Sequence, residues 1–346
     1  MPKTQAAVLV ELAKPLQLLE LSIPELKPGQ VLVEVAYSGV CHTQLSEIRG
    51  YRGPDRFLPH TLGHEGSGIV TSVGAGVAKV KPGDRVVLSW IKGDGATVGG
   101  TSYEWLNGLV NSGAISTFMR STVTCESRVT RIPSEMPLRE AALLGCALPT
   151  GAGIAMNTAA VAAGSSVAIF GVGGIGLSAV IGAGLRQAAM VIAVDVLDNK
   201  LELARKLGAT HSIDARRTDP VAAIRELTGG RGADYAIEAA GRKQTMEAAF
   251  QSVRDGGGLC VLAGNLRHGE RIELDPMDMI KGKRVVGTWG GESKPDRDIP
   301  LFVELYRGGK LPLELLVSKE YPLEEINGAF DDLERGLVAR ALIAMS

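Results

Sequence analysis

The chain has 346 residues, enough for about two domains. Its 37 Lys+Arg against 38 Asp+Glu leave a formal net charge of −1, so neither nucleic acid nor an anionic membrane is expected as a partner. Aromatic residues make up only 4 % of the chain, so aliphatic side chains must fill the core, and 44 glycines point to many tight turns and close backbone approaches.

The opening MPKTQAAVLVELAKP lacks a basic segment followed by a long apolar run, so no signal peptide is expected. The first ~145 residues read as short strands joined by turns. AAVLVEL is one, and VLVEVAYSGV is another with Glu34 facing outward. GHEGSGIVTSVG and DRVVLS follow, and Pro-Gly pairs at Pro28–Gly29 and Pro82–Gly83 punctuate them. The Gly/Ser/Thr-rich stretch from Lys92 to Gly113 is the most loop-like part. The apolar stretch Ala141–Ala163 is broken by Pro149 and several glycines, which makes it a poor membrane span.

From about Ala147 the pattern alternates. Strand SSVAIFGV, helix GIGLSAVIGAGLRQ, strand MVIAVDV and helix DNKLELARKLG are followed by THSIDA, PVAAIRELTG, ADYAIEAA, QTMEAAFQSV and GGLCVLAGN. Such alternation makes a doubly wound parallel sheet. The expected fold is therefore α/β. A Rossmann domain spans residues 148–288, and a β-rich domain spans 1–147, completed by 289–346.

Gly171-Val172-Gly173-Gly174-Ile175-Gly176 fits GxGxxG between a strand and a helix, the context that a dinucleotide fingerprint requires. Gly171 makes the turn, Gly173 admits a pyrophosphate, and Gly176 lets helix pack on strand. The helix N-terminus supplies N–H groups for the phosphates. Asp195 ends the next strand, where a carboxylate accepts from the adenosine ribose hydroxyls and repels the extra phosphate of NADP. No arginine follows it directly, so NAD is the expected cofactor. Lys200 stands close enough in sequence to reach the same ribose, or to be a solvated helix lysine.

Four cysteines occur, Cys41, Cys125, Cys146 and Cys260. Without an export signal a disulfide framework is not expected. Cys41, His64 and Cys146 are the residue types of a catalytic zinc site with an open fourth position, but their long separations do not themselves bring them together. Cys125 and Cys260 read as small buried hydrophobes.

The pieces GVCHT, GHEGSGIV, LLGCALPTG, GVGGIG and VIAVD, in that order, together with TWGGESKPDRDIPLFVELYRGGKLPLELLVSKEYPLEEINGAFDDLERG, resemble the zinc alcohol dehydrogenases of the medium-chain dehydrogenase/reductase family. The similarity covers nearly the whole chain and is greatest to the branch of animal-type and glutathione-dependent formaldehyde dehydrogenases. It implies a GroES-like catalytic domain beside the Rossmann domain, and Cys41, His64 and Cys146 as zinc ligands. Glu65 would stand behind the metal or visit it as a transient ligand. It further implies Thr43 as the hydroxyl that hydrogen-bonds the alcohol oxygen and passes its proton to the nicotinamide ribose, His42 at the pyrophosphate, Thr150 at the nicotinamide, and Arg340 at a cofactor phosphate. Cytoplasmic location and a homodimer or homotetramer are also implied.

Three departures from the family pattern stand out. The four cysteines of a structural-zinc lobe are absent between Lys92 and Cys125, so one zinc per subunit is expected. Gln44 and Ser46 stand where many members carry Asp and His, so the proton relay is expected to run through Ser46 and water, or through His42. Trp90, Asn265, Thr288 and Trp289 fall in or near the substrate pocket by alignment. The polar Asn265 and Thr288 suggest a substrate with a second polar group. The competing readings are a zinc-independent quinone or enone reductase of the same superfamily, which usually lacks the three ligands, and a non-enzymatic cofactor-binding protein.

Overall fold

The computed structural model describes residues 1–345. They form two compact units. One comprises Met1–Cys146 together with the chain from Lys294 onward, the other Ala147–Ser293.

The first unit is built on two sheets. Strands Lys3–Leu9, Gln17–Ser22, Ser102–Trp105, Gly108–Asn111 and His60–Thr61 close into a small barrel. A seven-stranded sheet carries Val129–Arg131, Arg85–Ser89, Glu65–Val73, Gln30–Gly39, Ala341–Ala344 and Lys319–Pro322 in that order, with Ser121–Cys125 also paired to Gln30–Gly39. Period-two patterning decides which side faces in: Val31, Val33 and Val35 are buried while Glu34 between them is exposed. The core beneath gathers Val33, Leu88, Phe118, Phe330 and Ile343.

The loop-like stretch from Lys92 to Gly113 contains a hairpin, Ser102–Trp105 against Gly108–Asn111, which helps to close the barrel. Its strands are short, and one aromatic anchors them. Tyr103 is fully buried, and its hydroxyl accepts the Val123 N–H at 2.8 Å.

The second unit is a six-stranded parallel sheet. Its strands run His211–Asp214, Met190–Asp195, Ser166–Phe170, Tyr235–Glu238, Leu259–Leu262 and Arg284–Gly287 across the sheet. Counted within the unit, that is order 3-2-1-4-5-6, whose carboxyl edge binds ligands where the order reverses. The helices between strands carry ordinary start signals. Asp219 caps Pro220–Leu227 by accepting the Val221 N–H, and Pro220 occupies the first helical position, where no amide donor is needed. Phe170, Ile192, Phe250 and Cys260 form its core.

Candidate active site

Cys41 lies two residues past the strand Gln30–Gly39 and caps the helix His42–Ile48 in an extended conformation. The Gln44 amide oxygen accepts the Cys41 N–H at 3.1 Å, which fixes the first turn. His64 precedes the strand Glu65–Val73. Cys146 follows the one-turn helix Ala142–Gly145, whose last carbonyl accepts from the Ser89 hydroxyl at 2.7 Å. These elements bring the ligand atoms of Cys41, His64 and Cys146 within 4.8 Å of one another. Cys41 and Cys146 are buried, and none of the four cysteines is in a disulfide.

Two thiols and an imidazole nitrogen in that space match a zinc donor set. His64 Nε2 is buried with no hydrogen-bond partner, while Nδ1 faces the Gln44 amide nitrogen. A buried orphan nitrogen is costly, and a cation beside it relieves the cost. A hydrogen bond with Cys146 holds the Cys41 thiol well below its ordinary range, against the upward push of burial, with His64 and Arg340 adding to the downward pull. Thiolate is the form that binds metal.

Behind the three ligands lies a buried ion pair. Arg340 Nη2 meets Glu65 Oε1, with both side chains almost wholly enclosed. Burial pulls the Arg340 guanidinium below its ordinary value, and the Cys41 sulfur opposes that pull. Arg340, expected at a cofactor phosphate, also has its charge engaged by Glu65 and Cys41. Glu65 is held by its backbone as well, since its carbonyl accepts from Ser38 at 3.1 Å and Thr117 at 3.0 Å. Gly39 leaves room for its carboxylate: a Cβ there would lie 2.3 Å from Glu65 Oε1.

In the second unit the helix Gly174–Leu185 starts directly after Gly173. A Cβ on Gly176 would meet the Gly171 carbonyl at 1.9 Å, whereas one on Gly173 would meet nothing within 4 Å. The first demands glycine for packing, and the second leaves open space over Gly173, as a phosphate cradle requires. Asp195 Oδ2 accepts the Val172 N–H of this turn at 2.9 Å, and Oδ1 accepts from Val196 and Leu197. A carboxylate offers roughly four acceptor directions, so one is left for a ribose hydroxyl. The site therefore fits a dinucleotide.

Residues 27–134 match the alcohol dehydrogenase GroES-like domain, and residues 174–306 match the zinc-binding dehydrogenase family. The S-(hydroxymethyl)glutathione dehydrogenase of Synechocystis is 35 % identical, covering 99 % of both chains. The chain belongs to the zinc-dependent alcohol dehydrogenases. Among solved structures, an alcohol dehydrogenase zinc-binding domain protein from Burkholderia ambifaria superposes with a TM-score of 0.92 at 33 % identity, over 100 % of this chain and 99 % of that one. Benzyl alcohol dehydrogenase from Acinetobacter calcoaceticus gives 0.91 at 30 %, with both chains fully covered. A zinc-binding dehydrogenase from Sinorhizobium meliloti bound to NADP gives 0.82 at 25 %, again with full coverage.

The remaining site residues of this alcohol dehydrogenase fall as follows. Thr43 and Ser46 are half-buried on one face of the His42–Ile48 helix, and His42 is exposed. The Trp90 ring stands edge-on to His64, centroids 6.4 Å apart, so it does border the metal cluster. In the other unit Thr150 is buried with an unpartnered hydroxyl, Lys200 is half-buried, Asn265 is exposed and Trp289 is largely exposed. The Thr288 hydroxyl lies 2.8 Å from that of Thr158. That contact uses one of the hydroxyl's hydrogen-bonding positions and leaves others open to a substrate.

Two features carried no sequence signal. Arg216 approaches the end of the Asp195 strand from the neighbouring one, so the residues directly after Asp195 do not announce it. The Glu126 carboxylate, which ties down the cysteine-free lobe, lies beyond that lobe in sequence.

Proposed function

We propose that the protein is a zinc-dependent dehydrogenase that interconverts a primary or secondary alcohol and its aldehyde or ketone, with NAD as the hydride acceptor. The convergence of Cys41, His64 and Cys146 carries this reading. Those three would hold one zinc per subunit, and the turn Gly171–Gly176 (Gly173, Gly174 and Ile175 included) would hold the dinucleotide with Asp195. Bound there, zinc supplies Lewis acidity to the substrate oxygen and the nicotinamide supplies the hydride acceptor.

The chain's own residues do the rest. Thr43 orients the substrate hydroxyl and accepts its proton, and Ser46, on the same helix face, passes the proton toward water. Trp90 narrows the space beside His64. The Glu65–Arg340 pair holds a negative and a positive charge fixed behind the ligands. His42, Thr150, Lys200 and Arg340 are proposed contacts of the cofactor, and Asn265, Thr288 and Trp289 of the substrate.

We further propose a cytoplasmic homodimer or homotetramer. The strand Arg284–Gly287 lies at the sheet edge of the second unit, a row of backbone groups available to a second copy.

The deciding experiment measures zinc content alongside NADH formation over a panel of alcohols, in the native protein and in Cys146→Ala. Loss of both zinc and turnover in the variant is expected. Turnover that survives chelation and Cys146→Ala would move the protein to the zinc-independent reductases. Zinc binding without turnover on any alcohol would favour a non-enzymatic role.

A further inference from the structure

Asp195 is not the only carboxylate at the place where a ribose would lie. The strands Met190–Asp195 and His211–Asp214 are parallel neighbours, and Asp195 and Asp214 are register partners. Partners in a parallel pair point to the same face of the sheet, so two acids stand side by side at its carboxyl edge. Asp198, in the first turn of the next helix, adds a third.

Two arginines stand among them, and Arg216 is the one tied down through a fork. Arg216 grips Asp214 through Nε at 2.9 Å and Nη2 at 2.7 Å, the forked geometry that suits a carboxylate. The same Nη2 reaches Asp198 at 3.2 Å. The backbone N–H of Arg216 also donates to Asp214, at 2.9 Å. Arg217 Nε lies 3.1 Å from the same carboxylate. These contacts pull the Asp214 carboxyl down to about 2, the Arg216 side chain first among them.

An arginine near the Asp position is what NADP-binding folds use to accept the 2′-phosphate. Resting on the reading that this unit holds a dinucleotide, we propose that Asp214 is a coenzyme-discriminating residue: it and Asp198 hold Arg216 in a carboxylate clamp, away from a 2′-phosphate, so that refusal of NADP is shared between Asp195 and Asp214. Asp195 supplies the repulsion at the 2′ position, and Asp214 withholds the cation that would offset it. Removing Asp195 alone therefore leaves Arg216 still held by Asp214 and Asp198. Removing Asp214 as well turns Arg216 into a phosphate ligand.

The test is titration calorimetry of the full-length zinc-loaded protein with ADP-ribose and with its 2′-phosphorylated form. The native protein should bind ADP-ribose and discriminate strongly against the phosphate. Asp195→Ser should narrow the ratio. Adding Asp214→Asn should narrow it by about a further tenfold, the size of one charge-assisted hydrogen bond. Arg216→Gln on top should reverse that second step. The proposal fails if Asp214→Asn adds less than about twofold, or if the gain survives Arg216→Gln. Should Asp214→Asn not fold, Arg216→Gln in the Asp195→Ser background gives the answer: free cation or not, affinity for the phosphate must be unchanged there, and a fall shows that Arg216 was already contributing. If the native protein binds neither compound, the dinucleotide reading itself falls, which separates that failure from this one.

Discussion

Between Cys41 and His64 stands a single amide, that of Gln44. Its oxygen accepts the Cys41 N–H and its nitrogen faces His64 Nδ1. For a neutral His64 to offer Nε2 to a metal, its proton must sit on Nδ1, and that proton then needs an acceptor. Turning the amide over serves His64 but aims the NH2 group at the Cys41 N–H. A carboxylate of the same length has an oxygen for each. Gln44→Glu is therefore expected to tighten zinc binding by about tenfold or more, in line with the 10–100-fold usually lost with such partners. Competition with a chromogenic chelator measures it, and unchanged or weaker affinity would count against the argument. The ligand residues themselves were legible only through resemblance, because Cys41, His64 and Cys146 lie far apart in sequence and strand order brings them together. Arg216 was passed over for a related reason: it follows Asp214 in sequence, and only strand pairing sets Asp214 beside Asp195.

At the scale of elements, strand–helix alternation made the second unit readable from its pattern, down to the parallel sheet and the glycine turn. The lobe between Lys92 and Gly113 was not readable, because what orders it comes from outside it. Glu126 Oε1 accepts the N–H groups of Ala78 and Lys79, both at 2.7 Å, and Oε2 accepts that of Ala96 at 2.8 Å. Lys79 and Asp296 add an ion pair at 2.6 Å, and Asp296 also accepts the Asp94 N–H. Burial pushes the Glu126 carboxyl upward, but three backbone donors outweigh it and the net shift is downward. A lowered folded value gives stability that is present above the unfolded value of about 4.3 and is lost as pH falls through the folded one. Glu126→Gln keeps the shape but puts an NH2 against a backbone donor on one side. It is expected to cost about 2 kcal/mol near neutral pH, seen as faster hydrogen exchange at the amides of Ala78, Lys79 and Ala96. The difference from the native protein should shrink below about pH 4. Equal protection in both proteins at pH 7 would mean that the lobe is held elsewhere.

For the whole molecule, the division of labour follows the division of the core. All three metal-site donors, with Glu65 and Arg340, belong to the first unit, while the Gly171–Gly176 turn, Asp195 and Asp214 belong to the second. Each unit has its own apolar interior, so each ligand should stabilise chiefly the unit whose groups it touches. A ligand held at a hundred times its dissociation constant adds about 2.7 kcal/mol to the state that binds it. Cys146 is the last residue of the first unit before the chain crosses, so a metal there ties the end of that segment to the chain at Cys41 and His64, next to the strands Gln30–Gly39 and Glu65–Val73. Chelation should therefore raise hydrogen exchange in Gln30–Gly39 and Glu65–Val73 and leave Leu259–Leu262 unchanged. ADP-ribose should do the reverse, slowing exchange at the start of the Gly174–Leu185 helix with little effect on the barrel strands. If chelation loosened both units alike, the two cores would have to unfold as one cooperative block, and the metal would be a support for the entire fold rather than for the catalytic unit.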